Sequence, residues 1–274
     1  MKKLLLSVAG LALAIAPSVS AEVSAEEAAR LGAELTPLGG EVAGNADGSI
    51  PAWDGGFQGE VSGNMLGDIP TDLFAGDTPI YTVNSANMAE YADLLSDGTK
   101  ALLERYPDSY ELQVYETRRT ANASPEVYAA TAANAVNCQL TEEGLSMEGC
   151  IGGVPFPIPQ DGFEVIWNYL MRIEAPSVEY TFRNIVGNSD GSHTLATKNE
   201  IAFQYPFYYD GATADDFEGE YSMFRFNTLE PPFKAGESLV ARDSIDVERP
   251  RMAWQYLVGQ RRVRRAPTVS YDTP

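Results

Sequence analysis

The sequence predicts an α+β fold in which a curved antiparallel sheet packs on helices. Three observations carry that expectation: helix-spaced apolar residues before Pro176, alternating β-branched and aromatic residues after it, and turn signals that divide the second half into runs.

The elements follow in order. Ser24 and Glu27 have the spacing of a capping box ahead of a helix at 25–31, and Gly32 stops it. Residues 36–80 are rich in Gly and Pro, as at Gly39-Gly40, Gly55-Gly56 and Ile69-Pro70, and read as a long ordered surface loop. Within it Asn45-Ala46-Asp47-Gly48 is a turn, because the closing Glu of a calcium loop is missing. Ser85 is placed to cap a helix through Met88, Tyr91, Ala92 and Leu95, and Asp97 a second one with Leu102, Leu103 and Tyr106 on its apolar face. Leu112 and Val114 begin a strand-like stretch. A helix is expected at 125–135 with Pro125 in its first turn, and another at 164–173 carrying Val165, Ile166, Trp167, Leu170 and Met171. Strands are expected at 178–186, 193–205, 221–229, 238–247 and 252–263, separated by signals such as Asn188-Ser189-Asp190-Gly191 and Tyr209-Asp210-Gly211. The end at Pro274 follows a strand with no closing element, which leads us to expect a domain cut short at its C-terminus.

The first 21 residues have the three parts of a secretory signal. Lys2 and Lys3 supply positive charge. The apolar run at 4–16 is shorter than the roughly 20 residues that span a bilayer. Pro17 breaks it, and Val19-Ser20-Ala21 offers small residues to a peptidase, so cleavage is expected after Ala21. The remaining 253 of 274 residues, 22–274, form a single expected domain, exported to the periplasm and peripheral to the outer membrane at most.

Nineteen basic against 39 acidic residues give a net charge of −20, which excludes a nucleic-acid partner. The acidity serves solubility in a salty habitat equally well. Cys138 and Cys150 flank a turn-rich stretch and are expected to bridge, contributing about 3 kcal/mol by loop closure. With these two and His193 alone, the usual zinc ligands are too few, and neither a metal nor another cofactor is implied. His193 is also the one imidazole that could serve a hydrolase, and no G-x-S-x-G turn accompanies it, so a hydrolase ranks third among the functional readings.

Arg261, Arg262, Arg264 and Arg265 reverse the charge locally. On a strand Arg262 and Arg264 share one side, with Arg261 and Arg265 on the other beside Val263. They read either as an ion-pair ladder with neighbouring strands or as a contact for an anion, a headgroup or a partner protein. Tyr180, Phe182, Phe203, Tyr205, Phe207, Trp254 and Tyr256 recur at alternate positions and are expected to line one sheet face. They are either sheet-to-helix core or, for Tyr180, Phe182, Phe203, Tyr205, Trp254 and Tyr256 together with Trp167, the lining of a ligand cavity.

Gly152-Gly153-Val154-Pro155-Phe156-Pro157-Ile158-Pro159 followed by Trp167-Asn168 resembles the DUF1329 family of bacterial envelope proteins. Residues 254–267 from Trp254 to Pro267, followed by Tyr271-Asp272, are similar to the family's most recognisable stretch, and 44–53 from Gly44 to Trp53 to its N-terminal signature. The resemblance covers nearly the whole chain after the signal. It implies a longer protein continuing past Pro274 and a fold like that of lipoprotein-sorting carriers, an incomplete barrel closed by helices around an apolar cavity. It implies no catalytic activity. The first expectation is therefore a non-enzymatic periplasmic carrier of lipids or other hydrophobic small molecules, and the second an interaction protein that docks on an envelope transporter.

Overall fold

Four side chains start the four α-helices of the described residues. In each case a side-chain oxygen accepts the backbone N–H three residues on: Ser24 from Glu27 for α1 (Ala25–Ala28), Ser96 from Thr99 for α2 (Asp97–Arg105), Ser124 from Val127 for α3 (Pro125–Asn137) and Asp161 from Glu164 for α4 (Gly162–Leu170). Each such cap stabilises its helix by about 1 kcal/mol. Ser96 and not Asp97 caps α2, and Asp97 lies in its first turn. The helix expected at Ser85 is a 3-10 segment, Met88–Leu94. Asn84 and Asn87 explain the difference, because their side chains accept the N–H groups of Ala86 and Asn84 and bond the Thr82 carbonyl, holding the chain in local turns. The Ser85 hydroxyl points instead at the Pro107 carbonyl.

These coordinates are a computed structural model, which describes residues 23–59 and 71–269 of the 274. The expected signal at 1–21, the Ile69-Pro70 turn and Tyr271-Asp272 lie outside the described residues. No helix among them is long and apolar enough to cross a membrane.

Short strands β1 (Tyr81–Val83) and β2 (Leu112–Val114) pair antiparallel, as do β3 (Gln139–Thr141) and β4 (Ser146–Glu148). A Cys138–Cys150 disulfide closes the second hairpin, as the cysteine spacing predicted. The remaining strands form one six-stranded antiparallel sheet in sequential order: β5 (Ser177–Gly187), β6 (His193–Gln204), β7 (Glu220–Glu230), β8 (Ser238–Ser244), β9 (Met252–Leu257) and β10 (Arg262–Arg265). Register shifts at Asn184/Ile185, Lys198/Asn199 and Glu220/Ser222 bend and twist it. It does not close, since β5 and β10 are its two outer strands, and the fold is α+β with an open sheet consistent with an incomplete curved barrel. The strand expected at 252–263 is split into β9 and β10, because the chain turns at 258–261, where Arg261 adopts φ 51° and its N–H reaches the Leu257 carbonyl.

The buried core lies where α4 and the β3–β4 hairpin meet the start of β7 and the end of β8. Met147, Cys150, Phe156, Trp167, Met171, Phe207, Tyr208, Tyr221 and Ile245 form it. Trp167 donates its indole N–H to the Gly144 carbonyl at 2.9 Å, so its polar atom is satisfied while its rings are removed from water. Burial pushes the Tyr208 hydroxyl well above the ordinary phenol value, and that hydroxyl donates to the Met171 carbonyl.

Glu164 is a carboxylate at the edge of this core, 5% exposed. Burial raises its pKa above the ordinary value, opposed by the Gln160 N–H it accepts. Because the folded-state pKa is the higher one, this group adds stability as pH falls through its folded pKa and withdraws it as pH rises. Glu164→Gln keeps an acceptor for Gln160 and removes the charge. The variant is expected to match wild type near pH 4 and to become the more stable of the two as pH rises to about 7, read by urea titration at each pH. A constant difference across that range would remove burial of the charge as the cause.

Candidate functional site

Side chains alternate across a strand, so the register between strands decides which residues meet on one face. Two cross-strand rows run side by side over one face of the six-stranded sheet. Val178, Phe203, Phe224, Ala241 and Ala253 form the first. Tyr180, Ile201, Phe226, Leu239, Gln255 and Arg264 form the second. Beyond them Phe182 sits beside Asn199 and Thr228, and Leu257 beside Arg262.

The rings of Tyr180, Phe182, Phe203, Tyr205, Phe224 and Phe226 make one contiguous cluster, with neighbouring centroids 5.7–6.3 Å apart. Each such pair contributes about 0.5–1.5 kcal/mol beyond the area it buries. Tyr180, Phe182, Phe203, Phe224 and Phe226 all lie outside the buried core, and Tyr180 is 46% exposed. Tyr205 joins the two regions: it stacks on Phe203 and packs against the core, where burial and then the Glu174 charge raise its hydroxyl pKa.

The opposite face is polar. Glu200–Arg225, Lys198–Glu230 and Glu220–Arg242 pair across it at 3.1, 3.8 and 3.1 Å. Across β5, β6 and β7 the sheet is thus amphipathic, with the ring cluster on one side and ion pairs on the other.

Several expectations change on this register. Trp254 and Tyr256 pair laterally with Val240 and Ser238 and lie on the polar face, so they do not join Tyr180, Phe182 and Phe203. Trp167 belongs to the helical core rather than to the ring face, as does Phe207. A cleft of about 600 Å³ lies between the start of α3 and the 208–212 segment, lined by Ser124, Glu126, Glu174 and Asp210 among others, and contains none of the expected cavity residues. Phe224 and Phe226 escaped the sequence reading, although their spacing of two on a predicted strand was the available signal.

The arginines also differ from a ladder. Arg262 and Arg264 share the ring face, Arg265 and Val263 share the polar face with Trp254 and Tyr256, and Arg261 is in the turn. All four are exposed, and none has a carboxylate partner among the described residues. The buried ion pair of the sheet is elsewhere, between Asp243 and Arg251 on the ring face beside Phe224.

Asn199 is fully buried on the ring face. Its Nδ2 donates to Thr197 Oγ1 at 2.8 Å, and its Oδ1 has no partner among the described residues. A buried amide oxygen left unsatisfied costs about 1–3 kcal/mol, so this atom calls for a partner. His193 is exposed at the start of β6.

Two of the motifs that carry the resemblance are held by structural clamps. Asn168 holds Phe156 from both sides, accepting its N–H at 2.9 Å and donating to its carbonyl at 2.7 Å, which ties the end of α4 to the Gly152–Pro159 run. Gly39, at φ 95°, passes so close to that run that an added Cβ would lie 2.0 Å from the Pro157 carbonyl oxygen. Arg119 donates to the carbonyls of Glu41 and Val42 at 2.6 and 3.1 Å, and the Trp53 indole to that of Ala121 at 2.9 Å, fixing the long N-terminal loop.

The family described as "Protein of unknown function (DUF1329)" matches residues 82–274. The uncharacterized protein PA3922 of Pseudomonas aeruginosa is 40% identical over 278 residues, covering 99% of this chain and 60% of that protein. The chain therefore spans 60% of the length of the curated relative it matches. No solved structure matches.

Proposed function

The chain belongs to the DUF1329 family, and from that premise and its amphipathic sheet we propose a non-enzymatic periplasmic binding or carrier protein for lipids or other hydrophobic molecules, exported after cleavage behind Ala21. The observation that carries the reading is the ring face: six aromatic side chains in mutual contact, five of them outside the buried core. Tyr180 is exposed and the other five rings are half-buried, so the cluster is a partly open apolar surface of the kind that marks binding sites. Asn199 Oδ1 beside Phe182, without a partner among the described residues, supports it with a polar atom that can orient a ligand.

Native mass spectrometry and solvent extraction of the full-length protein purified from the cell envelope test the reading. Co-purifying lipid, displaced by Phe203→Ser or Phe226→Ser, is the expected result. Protein that carries no lipid and binds no hydrophobic probe would end it.

A second reading, docking on an envelope transporter, is favoured by α4. Val165, Ile166 and Tyr169 are 52–68% exposed on the side of that helix away from Trp167. Retention of an envelope partner that Ile166→Asp abolishes, by a protein empty of lipid, would favour this reading over the first.

A further inference from the structure

The geometry points to a phosphate-headed single-chain amphiphile as the ligand of the ring face, with Arg262 and Arg264 holding its head. This rests on the binding reading above and adds the class of ligand.

The second cross-strand row changes character along its length. Tyr180, Ile201, Phe226 and Leu239 are apolar, Gln255 is an amide, and Arg264 is a cation. Polarity thus rises across the sheet in one direction, as it does along an amphiphile.

The dimensions agree. Strands lie about 4.8 Å apart, so β10 is about 14 Å from β7 and about 19 Å from β6. One acyl chain spans about half of a roughly 30 Å hydrocarbon core, or about 15 Å. A head at Arg264 therefore lays its chain over Leu239 and ends it on Phe226 and the rings beyond.

Charge selects the head. Among the described residues Arg262 and Arg264 are exposed cations on the ring face with no carboxylate partner, in a chain of net charge −20, and the Asp243 carboxylate on their face is taken by Arg251. Their Cα atoms are separated by about 7 Å along the strand. A phosphate carries about −1.5 to −2 charges and three acceptor oxygens, enough to engage both guanidinium groups, whereas a carboxylate neutralises one.

Binding of dodecyl phosphate, dodecanoate and dodecanol to the full-length protein, by calorimetry or probe displacement at low salt, tests the assignment. Dodecyl phosphate is expected to bind about tenfold or more tightly than dodecanol, with dodecanoate between them. That advantage should shrink with added salt and vanish in the Arg262→Gln/Arg264→Gln double variant, while Arg265→Gln on the polar face leaves it intact. Equal affinity for dodecyl phosphate and dodecanol overturns the head site and leaves the binding reading standing. Dodecanoate equal to dodecyl phosphate overturns the phosphate. Equal losses in Arg265→Gln overturn the placement at Arg262 and Arg264. Binding of none of the three ends both inferences.

Discussion

Replacing Arg251 with Met is expected to destabilise the chain by about 3–5 kcal/mol, measured by urea titration. Arg251 meets Asp243 through two charge-assisted bonds, Nε to Oδ1 at 2.6 Å and Nη2 to Oδ2 at 2.9 Å, and the Asp243 side chain is 5% exposed. The guanidinium also stands 5.8 Å from the centre of the Phe224 ring. Methionine fills much of the same volume, so the loss comes chiefly from an aspartate left charged and buried without its guanidinium. The double variant Arg251→Met/Asp243→Leu strands no charge and is expected to recover a substantial part of it. Arg262→Met and Arg264→Met, on exposed side chains, are expected to stay within about 0.5 kcal/mol of wild type. An Arg251→Met variant as stable as wild type would show that the pair is solvated in solution.

Phe207→Ala should cost about 3–5 kcal/mol by the same measurement. Phe207 is fully buried, and its ring meets those of Tyr208 and Phe217 edge-on at 5.1 and 5.7 Å. It stands between the helical part of the chain and the first residues of β7, so the cavity left by truncation has walls on both sides that cannot easily collapse. Phe207→Leu, which keeps most of the volume, is expected to lose much less. A loss below about 1 kcal/mol for the alanine variant would mean that this region does not join the two parts of the fold.

The strands were the most legible part of the chain. Alternation and the Asn188–Gly191 turn placed β5, β6 and β7 within a residue or so of their bounds, because a half-buried strand writes its period directly into the sequence. Pairing between strands was not legible. Trp254 alternates correctly within β9, yet which face it occupies depends on Val240 being its neighbour, and that register is fixed by turns and bulges elsewhere in the sheet. The same limit hid the Asp243–Arg251 pair, whose members sit on either side of the β8–β9 connection, and left an ion-pair ladder as one of two readings of the β10 arginines. Asn199 could not be singled out at all. Alternation puts it on the face of Ile201 and Phe203, but a polar residue there reads as solvated, and its full burial depends on the neighbouring strands that pair with it.

Strand β5 is eleven residues long, and its outer backbone groups meet no described strand. An unpaired edge of that length is a template for self-recognition: a second copy arriving antiparallel could extend the sheet across a two-fold axis. Glu179 and Arg183 interrupt it with charge, and each copy brings a formal −20 to the encounter. At low ionic strength that repulsion acts over tens of ångströms, and at about 0.1 M salt its range falls to about 10 Å. The acidity of this chain therefore guards its own sheet against edge-to-edge stacking, with a strength that the salinity of its surroundings sets.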